Sequence, residues 1–532
     1  MARDPDRAFF GHPRGLANLF FTEMWERFSY YGMRAFLIYY LLAPETLGGR
    51  GLTAGTAGSV FAVFASSVYF LALPGGWIAD RFLGQRKGVI VGGIGIAAGN
   101  ALLAIPGLGN VFYLGLLLIA IGTGFLKPNI STLVGQLYKE DDPRRDSGYT
   151  IYYMGINIGA FIAPLVCGFL AQSDTFRAWV IERGMDPNLV WNFAFGAAAI
   201  GMVLGLFQFI SFKHWLGDAG AQPTIPEEPA RAQRDRHVLI AIGLALLGIG
   251  GLVVATTPSE DTIANFQGIG LSIGSIVMFV GLYKLARDPK ERRGILAMIP
   301  LFLGAVAFFA IFEQAPTTLS IFAKDFTEPD FLGFFEPSYY QSINAIFIVA
   351  LAPVFAIMWV ALARRRKEPS SVSKFAIGML LLALSFVVMV PTFGATEGTR
   401  FSGFYLTGLY LFNTLAELCI SPVGLSSMSK LAPRRLAGMV MGMWFFGTAV
   451  GIYLAGRATS ISSGRGFDFL FIFLFISSLV VAGALFLVAP KIRRMMAANE
   501  HAKGPADKSE KAEPEPLPSA RIVKDNTKVG ED

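Results

Sequence analysis

The sequence predicts an all-α membrane protein of about fourteen spanning helices in two related halves, and three observations carry that expectation. The first is composition: 53% of the 532 residues are hydrophobic, 47 are Phe and only 16% are charged, with a mean hydropathy of +0.52. A soluble domain of this length is far less apolar. The second is a series of apolar runs long enough to cross a bilayer. The third is that alternate connections between the runs are rich in Lys and Arg, the pattern that sets orientation in a membrane.

In chain order the runs fall at roughly 16–43, 53–79, 88–106, 110–137, 147–172, 190–212, 237–256, 263–284, 294–323, 337–363, 373–391, 402–431, 435–460 and 466–489. The basic connections hold Arg81, Arg86 and Lys87; Lys139, Arg144 and Arg145; Lys213 with Arg231 and Arg236; Arg287 and Arg293; Arg364 and Lys367; and Lys430, Arg434 and Arg435. The intervening ones carry isolated cations such as Arg50, Lys324 and Arg400, so both termini are expected in the cytoplasm. Residues 1–15 are polar, and the first apolar run is too long and too charged for a cleaved signal, so it is expected to remain as a helix. The stretch 213–236, with Pro223, Pro226 and Pro229 among charges, reads as a solvated linker. The Lys-, Glu- and Pro-rich tail 493–532 reads as disordered.

A short internal echo supports related halves. Pro143-Arg144-Arg145-Asp146-Ser147-Gly148 entering the fifth run resembles Pro433-Arg434-Arg435-Leu436-Ala437-Gly438 entering the penultimate one, and Lys127-Pro128 sits at the place of Ser421-Pro422. Paired halves put substrate sites at the midplane where they meet.

The first run contains Glu23, Glu26, Arg27 and Arg34. With a rise of 1.5 Å per residue, the first three lie roughly 10 to 16 Å into the membrane and Arg34 near 27 Å. Spacings of three and four put Glu23, Arg27, Tyr30 and Arg34 on one face, a polar stripe fit to point into a bundle. Ionisable groups at such depth mark substrate or ion pathways. Lys127, Glu313 with Gln314, Asn344 and Glu417 are buried in other runs. By the same ruler Lys127 is level with Glu417, and Arg34 with Glu313. Each pair joins opposite charges across the halves, so each is a candidate latch on one side of a central cavity. Tyr30, Tyr31, Tyr69, Asn157, Asn344 and Trp444 are candidates to line that cavity, or to act as polar glue between helices.

The set of four acids and three bases suits a ligand carrying both an amine and a carboxylate, with an acid left to take a proton. His12, His214, His237 and His501 lie near membrane ends or outside, so proton coupling would run through carboxylates tuned by burial and neighbouring cations. The net charge of +7 comes from the loop cations and does not point to nucleic acid. Cys167 and Cys419 fall in apolar runs, and neither a disulfide nor a metal site is expected. No HExxH, GxSxG or Cys/His cluster suggests an enzyme.

Glu23-Met-Trp-Glu-Arg-Phe-Ser-Tyr-Tyr-Gly32 matches the ExxERFxYYG signature of the proton-dependent oligopeptide transporters, a branch of the major facilitator superfamily. Gly75 to Lys87 resembles that branch's loop between helices two and three, and Tyr152 to Gly159 resembles its FYxxINxG signature. The resemblance continues through Phe312-Glu313-Gln314, Ser342-Ile343-Asn344, Glu417 to Pro422 and Trp444, and covers roughly residues 16–490. It implies a major facilitator fold with six-helix bundles at 16–212 and 294–489, plus an extra helix pair at 237–284 of the bacterial type. It also implies uptake of di- and tripeptides driven by protons, across a bacterial inner membrane, by a chain functional as a monomer and without another cofactor. By the family pattern Glu23, Glu26 and Arg27 serve proton coupling, joined by Glu313. Arg27, Tyr31 and Lys127 would lie near the peptide carboxylate, Asn157, Asn344 and Glu417 would hold its amine, and Tyr30, Tyr69 and Trp444 would shape side-chain pockets. Arg34 with Glu313 would form the outer latch. Where some members carry a histidine in helix two this sequence has Ala62, which places the proton on carboxylates. A different solute, such as nitrate, is the main alternative within the same fold.

Overall fold

The structure, a computed structural model, describes residues 7–107, 109–139, 142–223, 230, 232–241, 243–244, 259–328, 331–431 and 436–501. Helices dominate these residues. The first half comprises α1 (Arg14–Leu42), α2 (Ala54–Phe70), α3 (Ala72–Ile78), α4 (Gln85–Leu103), α5 (Val111–Gln136), α6 (Arg145–Gln172), a short α7 (Asp174–Glu182) and α8 (Val190–Phe212). After the connecting region come α9 (Glu260–Leu285), α10 (Pro289–Phe312), α11 (Ser320–Phe326), α12 (Tyr340–Arg364), α13 (Ser371–Val387), α14 (Phe404–Leu431) and α15 (Ala437–His501). Eleven stretches are long and apolar enough to span a bilayer. The charged α1 and the glycine-rich α4 bring the described spans to thirteen. The span expected at 237–256 falls mostly outside the described residues, as does the greater part of the tail.

Three of the expected runs are shaped differently from plain helices. The second breaks at Leu71, and the run at 294–323 breaks after Phe312 into a wide turn, Ala315–Leu319, before α11. The helix preceding each break ends four residues before a proline, Pro74 or Pro316, whose missing N–H cannot bond the carbonyl of Phe70 or Phe312. Within α15, which holds spans at Met439–Ser460 and Gly464–Met495, Gly466 adopts φ 82°, a conformation that costs little only for glycine, and kinks the helix at the start of the second span. The tail was expected to lose structure from residue 493, yet α15 runs on to His501. Residues 491–501 contain neither Gly nor Pro and are mostly good helix formers, so the helix propagates past the apolar segment.

Each half has its own apolar core. Phe36, Phe61 and Phe195 centre one cluster of the first half, and Leu19, Ile96 and Phe209 another. Phe302, Phe308, Phe375 and Phe471 lie in the core of the second. Small residues let the backbones approach, as membrane helices require in place of a hydrophobic drive. A β-carbon at Gly92 would lie 2.6 Å from the Gly122 carbonyl, and one at Gly122 equally close to that of Gly92, which joins α4 to α5. Gly159 of α6 packs on the Met24 carbonyl and the Arg27 β-carbon, which presses the charged stretch of α1 against α6.

The face of the bundle that carries the start of α1 is here called proximal and the opposite one distal. In the distal half the two halves touch along three seams. Gly58 of α2 meets Gly456 and Thr459 of α15, with a β-carbon at 58 lying 2.6 Å from the Gly456 carbonyl. Ser342 of α12 donates to the Phe161 carbonyl of α6 at 2.8 Å, and Gln172 accepts from the Ser338 amide at 3.1 Å. Tyr39 of α1 donates to the Ser320 carbonyl at 2.8 Å. The halves also meet toward the proximal side, where a β-carbon at Gly442 of α15 would lie 2.5 Å from the Leu73 side chain of α3, and a cavity of about 900 Å³ lies there against the second half, with Tyr153 reaching it from the first.

Candidate functional site

The charged stretch of α1 folds into a compact buried cluster. Arg27 Nε lies 3.0 Å from a Glu23 carboxylate oxygen and also pairs with Glu26, with all three side chains almost fully buried. Arg27 Nη2 and Glu23 Oε2 have no hydrogen-bond partner, so the cluster is incompletely satisfied. Buried ions in that condition are costly, and unsatisfied polar atoms of this kind call for a functional reason. The guanidinium lies 5.6 Å from the Tyr30 ring and 5.9 Å from the Tyr31 ring, and Arg34 stands over the same two rings at 5.9 and 5.8 Å. Arg34 bonds Glu313, which sits just past the end of α10, and both side chains are buried. The two residues expected to meet by level are therefore in contact.

Lys127 and Glu417 are not. Lys127 stands 3.9 Å over the Tyr69 ring, within electrostatic reach of Arg27, Glu26 and Glu23. Glu417 accepts from Asn344 at 3.1 Å, and Asn344 also donates to Thr414 at 3.0 Å. The level argument fixed the height of the two groups but neither their rotation about the helix axes nor the separation of the helices that carry them. Both side chains are only partly buried, unlike every other charge of the predicted set.

A central cavity of about 150 Å³ lies between the halves. From the first half Tyr31, Arg34, Tyr69 and Asn157 line it, and from the second Glu313, Asn344 and Glu417 do. Asn157 is anchored by donating to the Tyr153 carbonyl at 2.9 Å. The central space adjoins the 900 Å³ proximal cavity, since Tyr153, Ile348 and Glu417 line both. Two predicted lining residues lie elsewhere. Tyr30 is buried beside Arg27 and Arg34 because it falls on the packed side of α1, and Trp444 lines the proximal cavity, packed on Phe309 and Phe375. Ala62 is fully buried at the α2–α15 seam, where a β-carbon at Gly456 would lie 2.7 Å from that of Ala62. Among the described residues, none lining either cavity is a histidine. His12, before α1, bonds the Tyr138 hydroxyl at 2.9 Å, and burial followed by the Arg144 charge holds its imidazole below the usual range.

Sequence reasoning missed Tyr153, Gln341, Tyr410 and Asn413, all of which line the central cavity. A signal was present: Tyr153 precedes Asn157 by four, Gln341 precedes Asn344 by three, and Asn413 and Tyr410 precede Glu417 by four and seven. These spacings extend each predicted residue into a stripe along one helical face.

Geometry of this kind has known counterparts. The profile of the POT family (PTR2) matches residues 86–465. The chain is 39% identical over 500 residues to the uncharacterized transporter YclF of Bacillus subtilis, covering 92% of this chain and 96% of that one. It is 37% identical over 510 residues to a di-/tripeptide transporter of Lactococcus lactis subsp. cremoris, covering 92% and 98%. The crystal structure of a peptide transporter POT in complex with sulfate superposes with a TM-score of 0.83 at 38% identity, covering 93% of this chain and 98% of that one. A POT family transporter in complex with 5-aminolevulinic acid gives 0.81 at 34%, covering 92% and 98%. This chain, with its helical spans, its major facilitator fold and its charged central cavity, belongs to the POT family, and it is an integral membrane transporter and not an enzyme.

Proposed function

We propose that the protein is a proton-coupled symporter that imports di- and tripeptides across the bacterial inner membrane. One observation carries the cargo class: Lys127, over the Tyr69 ring that lines the central cavity, and Glu417, which lines it directly, are partly exposed charges of opposite sign with no ion pair among the described residues. A peptide with a free carboxylate and a free amine supplies the partner that each of them lacks. Arg27 and Tyr31 assist at the carboxylate end, and Asn157 and Asn344 at the amine end. A relative named as a di-/tripeptide transporter supports the same cargo.

The distribution of Lys and Arg supports a cytoplasmic proximal face, which puts the Arg34–Glu313 bond on the outer side. Alternating access then consists of breaking the Arg34–Glu313 latch outside while Lys127 and Glu417 draw together inside, across bundles at 16–212 and 294–489. Protons are the coupling ion, carried by Glu313 and by the Glu23, Glu26 and Arg27 cluster, and the chain works as a monomer. Counterflow in proteoliposomes tests the cargo. Labelled dialanine should exchange against di- and trialanine and not against N-acetyl-dialanine, free alanine or nitrate. Exchange with nitrate and none with dialanine would overturn the reading.

A further inference from the structure

The helix α9 belongs to neither half by sequence, yet it is bonded to both. Asp261, in its first turn, accepts from the Ser59 hydroxyl of α2 at 2.5 Å and from Arg457 of α15 at 2.8 Å. Arg457 also bonds Ser59 and reaches Asn265 of α9 at 3.4 Å. One turn deeper, Tyr453 of α15 donates to the Ala264 carbonyl at 2.9 Å, and nearly a turn beyond that Gln267 donates to Ser66 and Ser67 of α2 at 3.0 and 2.9 Å. Beneath these polar bonds, Ala62 of α2, Ala264 and Leu271 of α9, and Phe446, Ala449 and Tyr453 of α15 form a separate apolar cluster.

The position of this junction gives it a consequence. It covers the distal seam where α2 and α15 touch backbone to backbone at Gly58 and Gly456. Opening the distal side requires α2 to leave α15 there. Because Asp261 is bonded to both helices, α9 cannot follow both, and separation must break its bonds to one of them. We propose that α9 is a clip across the α2–α15 seam, with Asp261 and Arg457 as its catch, that holds the transporter closed on the distal side. The extra helix thereby adds to the closed state without touching the central cavity. A static brace of one half alone would need bonds to only one of the two helices.

The test is a distance measurement between spin labels at two exposed distal positions, Leu47 of the first half and Glu397 of the second, in proteoliposomes without cargo. Melting of each variant confirms that it is folded. In the wild type the short distance should dominate. Asp261→Asn and Arg457→Gln should each raise the ratio of long to short distances by roughly two- to five-fold, the size expected for a partly exposed ion pair. The exchange Asp261→Arg with Arg457→Asp should bring the ratio back toward wild type. Gln267→Ala, which leaves the catch intact and removes bonds to α2, should shift the ratio in the same direction as the single charge variants. Unchanged ratios in both single charge variants and in Gln267→Ala, or an exchange variant no better than the singles, would overturn the proposal. The measurement uses no cargo, so its outcome stands apart from whether peptides are transported.

Discussion

Arg34 of α1 and Glu313 at the end of α10 are bonded across the two halves from positions 279 residues apart. Their side chains are 7% and 8% exposed, so either one left alone would be a buried charge without a counterion. Breaking a buried pair by removing one partner typically costs about 3 to 5 kcal/mol. Arg34→Glu and Glu313→Arg alone should therefore open the distal side, and the two together should close it again. A cysteine at Ala160, in a background lacking Cys167 and Cys419, reports this through its labelling from the distal side. Equal labelling in the single and double variants would refute a direct latch.

Glu23 and Glu26 both pair with the single buried guanidinium of Arg27, with Lys127 within electrostatic reach. Glu23→Gln or Glu26→Gln should keep counterflow exchange of dialanine close to wild type while abolishing uphill accumulation under an inward proton gradient. Loss of exchange together with accumulation would assign these acids to binding instead of coupling.

Glu417 is held by Asn344 and faces the central cavity, with no ion pair among the described residues. Removing one partner of a buried charged hydrogen bond costs about 2 to 5 kcal/mol, or roughly thirty-fold to several-thousand-fold in affinity. Glu417→Gln should weaken dialanine by an amount in this range and leave N-acetyl-dialanine, which has no ammonium, nearly unchanged. Lys127→Met should have the mirror effect, weakening dialanine far more than dialanine amide. Competition against labelled peptide uptake gives all four numbers.

The Gly58 contact with Gly456 admits no side chain, since a β-carbon at 58 would lie 2.6 Å from a backbone carbonyl. Overpacking of this sort costs about 1 to 3 kcal/mol where the structure cannot yield. Here it can yield by parting the seam. Gly58→Val should therefore shift the Leu47–Glu397 distance toward the long population, while the melting temperature falls only slightly. A large fall in melting temperature with no change in distance would place the contact within one rigid body.

Much of the site was legible from sequence because a spanning helix is a ruler. A charge in an apolar run has a known depth, and helical spacing assigns it a face, so Glu23, Arg27 and Arg34 could be read as one stripe and Arg34 as level with Glu313. Neighbours on the same stripes, Tyr153, Gln341, Tyr410 and Asn413, were not singled out, since an uncharged polar residue in a membrane helix is as often glue between helices as a cavity wall.

The sequence by itself determined that the chain is a bundle of spanning helices, the relative height of the charges along them and the family. These follow from apolar run length, a fixed rise per residue and local motifs, all one-dimensional properties. Tertiary structure alone decided which level charges meet. Depth leaves rotation about the helix axis and the separation of the halves undetermined. Arg34 and Glu313 are bonded, whereas Lys127 and Glu417, equally well matched in height, are not: Lys127 lies over the Tyr69 ring and Glu417 against Asn344. The bonds of α9 to α2 and α15 were invisible for the same reason: Asp261, Ser59 and Arg457 are unremarkable polar residues near helix ends until the packing of three helices brings them together.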